Sequence, residues 1–297
     1  MPVSIPRYDV IAEARQVSGS LPALLVNAVQ VAASIAAGLH GRRRVGQGEA
    51  FWQYRHYVPG DAPNAIDWRR SGRSDDVFVR QFEWEAVQSV WLWRDGTPSM
   101  DYASGAALPA KRHRADVLVL ALAQLLMRAG ERVSVLGAPP RTGHGRLRLE
   151  QVAADLVRAD AAGGPLPPAT SLPAHGELVL VGDFLDPIER LRPLLSAYAE
   201  QRLAGYLVQV VDPAEELLPF DGRVRFAGLE ADGEMLVPRV DRLRGAYGER
   251  FQAHRAALAD LARQLGWTFV VHRTDHAPQP ALLALYQALT QTHGGEP

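Results

Sequence analysis

The apolar positions of the chain follow two regimes. From residue 87 onward, short apolar runs alternate with helical patterns; before it, aromatic and arginine-rich segments keep no such rhythm. Val87 to Trp93, with SVWLW at its centre and Arg94-Asp95 at its end, is apolar on both faces, as an internal strand of a covered parallel sheet must be. A helical pattern over Ala110 to Ala129 turns Leu118, Leu122, Leu125 and Leu126 inward and stops at Gly130. Arg132 to Leu136 reads as a strand, Leu149 to Ala159 as a helix, and the proline-rich stretch Ala161 to Ala174 as a loop. Glu177 to Val181 is a strand ending in Gly182-Asp183, followed by a helix over Ile188 to Leu203 and a strand over Tyr206 to Val211 ending at Asp212. Arg223 to Val240 predicts a hairpin turning at Ala231-Asp232-Gly233. A long helix over Arg242 to Leu265, a last strand over Trp267 to Val271 and a last helix over Ala281 to Leu289 complete the pattern, with His293 to Pro297 as a disordered tail.

Strands alternating with helices in this way predict an α/β fold, a doubly wound and mostly parallel sheet over residues 86–293. Residues 1–85 form a separate segment: a helix, an arginine-rich turn at Gly41 to Arg44, and an aromatic and arginine clasp. Leu21 to Leu39 has the length of a membrane span, but Leu21, Leu24, Leu25, Ala28, Val31, Ile35 and Leu39 make one stripe at helical spacing. An amphipathic or buried helix is therefore expected, and no direct membrane insertion. Met1 to Gln16 mixes Pro6, Asp9, Glu13 and Arg15, which is not a secretory signal, so the expected location is the cytoplasm.

Composition adds exclusions. At 47% hydrophobic and 22% charged residues the chain can bury a full core. A formal net charge of −1 supplies no global field for nucleic acid, and no nucleic-acid partner is expected. The absence of cysteine removes disulfides, thiolate metal sites and cysteine nucleophiles.

The candidate chemistry lies at strand ends. In open α/β sheets, ligands bind beyond the carboxyl ends of strands where the strand order reverses. Asp95-Gly96-Thr97-Pro98-Ser99 follows the first strand and Asp183 a later one; if these strands are neighbours, two carboxylates and two hydroxyls meet in one crevice. Such an oxygen set suits Mg2+ or Mn2+. Helix capping by the same residues is the simpler alternative. Pro59-Gly60-Asp61 is a turn signal, and Asp67 beside Arg69, Arg70 and Arg73 predicts a paired network with Trp68 packed into the domain face. The alternative is a docking surface presented by Arg55, Asp61 and Asp67. His272 and His276 are spaced for metal ligation but read more simply as solvated loop histidines.

Asp95-x-Thr97-x-Ser99 resembles the metal-ion-dependent adhesion motif of von Willebrand factor A domains. Upstream, Tyr54 to Asp61, Ile66-Asp67-Trp68-Arg69 and Phe78 to Glu83 are similar to the motifs of bacterial domain-of-unknown-function family 58, and Lys111 stands where that family often opens a helix with lysine. The resemblance implies a von Willebrand factor A-like fold, a metal held by Asp95, Thr97, Ser99 and Asp183, and a partnership with a MoxR-type AAA+ ATPase acting on a client protein. It also implies a second-loop threonine ligand, for which only Thr170, in a proline-rich loop, is available. The function expected is a non-catalytic protein-interaction adaptor. The chain itself carries no G-x-x-x-x-G-K-[ST] sequence for nucleotide phosphates. Two alternatives stand beside it: a metal-assisted hydrolase or phosphatase, and a structural module with an empty metal site. The hydrolase wants a second carboxylate two residues after Asp95, where Thr97 stands.

Overall fold

A computed structural model of the chain describes residues 45–58, 61, 66–73, 76–83, 89–139, 145–162, 164, 166–229 and 233–292. The helix expected over Leu21 to Leu39, the Gly41 to Arg44 turn and the tail 293–297 lie outside the described residues. The chain divides into two compact units, one formed by Val29–Val87 and one that includes Gln88–Pro297. Among the described residues, no helix is long and apolar enough to cross a membrane.

The larger unit is an α/β layer structure. Its sheet holds β3 (Ser89–Arg94), β4 (Arg132–Val135), β5 (Glu177–Gly182), β6 (Ala204–Val211) and β9 (Thr268–Arg273). The spatial order is β4-β3-β5-β6-β9, with every neighbouring pair parallel. Chain order runs outward in both directions from β3, so the sheet reverses its winding between β3 and β5. This is the position at which an open α/β sheet leaves a crevice.

Both faces of the sheet are covered, which explains the unbroken apolar strands. Along β5 all six residues are buried. Val179 and Val181 join the core beneath α2 (Lys111–Arg128), α3 (Gly145–Ala162) and α7 (Pro278–Thr292). Leu178 and Leu180 alternate to the other face, under α4 (Ile188–Glu200) and α6 (Arg244–Gln264). The period of two in a strand thus feeds two cores at once. A short helix α5 (Pro213–Leu217) follows β6, and β7 (Val224–Ala227) pairs antiparallel with β8 (Glu234–Val237) as the expected hairpin. The turn at Ala231-Asp232 falls outside the described residues.

The smaller unit is an antiparallel ribbon of β1 (Val45–His56) and β2 (Phe78–Glu83), with register shifts near Phe51. Between the strands lies the four-residue helix α1 (Trp68–Ser71). Asp67 caps that helix by accepting from the Arg70 amide at 3.0 Å, and accepts from the Tyr54 hydroxyl at 3.3 Å. The Arg70 guanidinium stacks over Tyr54 and Phe78, 4.3 and 4.9 Å from the ring centres. Arg55 grips Asp61 with two hydrogen bonds of 2.5 and 2.6 Å. One expectation is corrected here: Trp68 is 67% exposed rather than packed, and its neighbour Arg69 is exposed too. On so short a helix the indole at the first position projects away from the ribbon that Tyr54 and Phe78 already cover with Arg70.

Candidate functional site

Asp95 is the first residue after β3, and its amide donates to the Val181 carbonyl of β5 at 2.8 Å. That bond extends the parallel ladder by one step and sets the two strand ends level. Gly182 closes β5 beside it; a Cβ there would lie 2.9 Å from the Asp95 Cβ, so the aspartate packs where only glycine leaves room. Both Asp95 and Asp183 are 4% exposed.

From Asp95 a chain of oxygens crosses the notch. Asp95 Oδ1 accepts from the Thr97 amide at 2.8 Å and the Thr97 hydroxyl at 2.7 Å. Thr97 Oγ1 and Ser99 Oγ stand 2.9 Å apart, and Ser99 Oγ donates to Asp183 Oδ2 at 2.8 Å. The same Asp183 Oδ2 accepts from Lys111 Nζ at 2.9 Å, and Lys111 Nζ also donates to Glu215 Oε1 at 2.5 Å. Lys111 is wholly buried at the first turn of α2. Burial works against its charge, but Asp183 and Glu215 outweigh that and raise its pKa above the ordinary lysine value. Burial likewise raises the Glu215 carboxyl, against the pull of Lys111.

The loops that carry these groups are braced from behind. Arg112 donates to the carbonyls of Gly96 and Thr97 at 2.9 and 3.0 Å and reaches Asp160 at 3.2 Å. Arg94, buried, meets the same Asp160 at 2.8 Å and Asp116 at 2.8 Å. A Cβ on Gly96 would come within 2.3 Å of Asp160 Oδ1, so the loop and α3 approach as closely as glycine permits. On the other side, Phe184 sits in the left-handed region at φ 49°, a costly conformation for a large side chain. Gln209 holds it by donating to the Asp183 carbonyl at 3.0 Å, and His254 lies 2.6 Å from the Phe184 carbonyl.

Above the cluster opens a cleft of about 540 Å³. Its floor is Asp95, Thr97, Ser99, Asp183 and Glu215; one wall is apolar, from Leu218, Phe220, Phe226 and Leu229 around the β7–β8 hairpin, and the other carries Leu185, Pro187 and Arg190.

Four of the residues singled out in the sequence therefore meet. Thr170 does not join them. It bonds to the Tyr198 hydroxyl on the α4 side of the sheet, because its proline-rich loop runs toward the start of β5. His272 is buried on β9 rather than solvated, and burial foremost lowers its pKa to about 4. Glu215 escaped the sequence reading, although Asp212-Pro213-Ala214-Glu215 has capping-box spacing, and the box forms. Lys111 entered only by resemblance, yet a lysine opening a helix opposes the macrodipole, and such a broken local rule marks a site.

The oxygen spacings bear on metal binding. An octahedral Mg2+ shell places adjacent ligand oxygens about 2.9 Å apart. The run from Asp95 Oδ1 through Thr97 and Ser99 to Asp183 Oδ2 has steps of 2.7, 2.9 and 2.8 Å, so each neighbouring pair stands at the separation of adjacent ligands in such a shell, which is also hydrogen-bond distance. Among the described residues, no three His, Cys, Asp or Glu side chains form a metal-like group. A cation here would rest on two carboxylates, two hydroxyls and water.

A parallel α/β sheet with an oxygen-rich cleft at its switch point defines the class of this protein. The sequence profile of the family described as protein of unknown function DUF58 matches residues 53–257, and the chain belongs to that family. It is 28% identical over 292 residues to the uncharacterised proteins Rv1480 of Mycobacterium tuberculosis and Mb1516 of Mycobacterium bovis, covering 92% of this chain and 89% of each relative. Among solved structures, the conserved hypothetical protein BatB from Bacteroides thetaiotaomicron aligns at 13% identity with a TM-score of 0.42, over 70% of this chain and all of that one. An aerotolerance-related membrane protein from Bacteroides fragilis aligns at 13% identity with a TM-score of 0.41, over 69% of this chain and 99% of that one.

Proposed function

We propose that the cleft is a protein-docking site of von Willebrand factor A type, in which Asp95, Thr97, Ser99 and Asp183 hold Mg2+ or Mn2+. The observation that carries this reading is the unbroken run of side-chain oxygens at ligand-like spacing, at the sheet's switch point and on the floor of a cleft with an apolar wall. When bound, the cation supplies a charge on which a partner's carboxylate can complete the shell. The chain's own residues do the rest. Arg112 and Gly96 fix the first loop, Gln209 fixes the second, and the hairpin wall offers Phe226 and Leu229 to the partner's apolar side chains. The role is that of a non-catalytic adaptor, and the family resemblance makes a MoxR-type AAA+ ATPase the partner to look for, acting with it on a client protein. A hydrolase is the weaker reading, because Thr97, bonded to Asp95, stands where an acid/base carboxylate is wanted.

Affinity capture from the source cell, with wild type and Asp95→Ala, each with and without EDTA, tests the reading. An AAA+ ATPase recovered with wild type and lost on chelation and in the variant is expected. A partner retained in all four conditions would place docking elsewhere.

A further inference from the structure

Lys111 is the part of the cluster that a plain cation site does not need. Its ammonium is wholly buried and shares Asp183 Oδ2 with Ser99. It cannot swing away cheaply. Glu215 holds it at 2.5 Å, and Glu215 Oε2 is itself fixed by the Asp212 amide at 2.9 Å. The backbone of Lys111 is pinned as well, its amide donating to the Tyr102 carbonyl at 3.1 Å. The other Asp183 oxygen, Oδ1, accepts from the Leu185 amide at 3.3 Å. A divalent ion taking Asp183 as a ligand must therefore either share Oδ2 with a fixed positive charge or take Oδ1 of a carboxylate that this charge already binds. Inside a buried site that repulsion is little screened.

We infer that Lys111 is a tethered cation that holds down the divalent-ion affinity of the cleft. The inference rests on the cation reading of the same site. It makes Lys111 a residue that sets affinity while touching no partner. The cleft then loads only at high ion concentration, or when a partner's carboxylate adds a ligand, so metal and partner bind better together than apart.

The test is calorimetric titration of the full chain with Mg2+, comparing wild type, Lys111→Met and the double variant Lys111→Met/Glu215→Gln. The single variant strands two buried carboxylates and risks misfolding. The double variant removes one cation and one anion together, leaving the formal charge of the cluster unchanged, and so carries the test even if the single variant fails to fold. The double variant is expected to bind Mg2+ severalfold more tightly than wild type, because the ammonium is bonded to the ligand carboxylate itself, whereas Glu215 bonds to the ammonium. Equal or weaker binding by the folded double variant overturns the role of Lys111 while leaving the cation site standing. No binding by either protein overturns the cation site, and the inference with it.

Discussion

The two ends of β5 treat buried acid in opposite ways. At its carboxyl end Asp183 is bonded to a hydroxyl and an ammonium and is linked through two hydroxyls to a second buried carboxylate, Asp95. At its amino end Glu177 is equally buried, and the Tyr206 phenol donates to it over a long 3.5 Å. Burial foremost, then the charge of Glu131, pushes the Glu177 carboxyl up to about 8. The difference teaches how one strand separates chemistry from packing. Where the protein supplies donors and a cation, acids gather in a notch. Where burial and a neighbouring like charge dominate, acid holds its proton up to about pH 8. Only the first end can serve a charged ligand.

The largest effect is expected from breaking the brace behind that notch. Gly96→Val drives its side chain into Asp160 and releases the ion pairs of that aspartate with Arg94 and Arg112. A loss of about 2–3 kcal/mol in unfolding free energy is expected, the range for overpacking combined with a disrupted buried ion pair. Chemical denaturation measures it; a variant within 0.5 kcal/mol of wild type, roughly the scatter of neutral surface changes, would mean the approach of loop and helix is not tight.

A smaller effect sharpens the other end. Because the folded pKa of Glu177, about 8, lies above its unfolded value of 4.5, the folded state binds the proton more strongly. The stability this group contributes is fully present below about pH 4.5 and is lost as pH rises through about 8. Glu177→Gln removes that loss. The melting temperature of the variant should gain on wild type from pH 5 to about pH 8 and level off above it; parallel curves would show that Glu177 is ionised and satisfied in the fold.

Much of the fold was legible before any coordinates, for a physical reason. Strands buried on both faces must be apolar throughout, and the SVWLW and LVLVG runs announce β3 and β5 directly. Asp95 and Asp183 were legible as residues that follow such strands, and parallel neighbours bring those ends level. The ribbon of β1 and β2 was not, since a pairing from residues 45–56 to 78–83 with register shifts leaves no clean alternation to read. Thr170 could not be placed because proline fixes a loop locally and says nothing of which face it crosses. Trp68 was misplaced for a related reason: an aromatic near arginines suggests burial, but Arg70 stacks on Tyr54 and Phe78 instead. Glu215 is the instructive omission. Its spacing from Asp212 is a helix-cap signature, and a cap that also holds a buried ammonium serves the site as well as the helix.

The central claim is that a divalent cation binds between the ends of β3 and β5. Paramagnetic broadening by Mn2+ tests it at single residues in wild type and in Asp95→Asn. The account expects the amide signals of Thr97, Ser99, Asp183 and Leu185 to broaden first in wild type and to stay sharp in the variant. Broadening centred on other residues, or identical in both proteins, would contradict it.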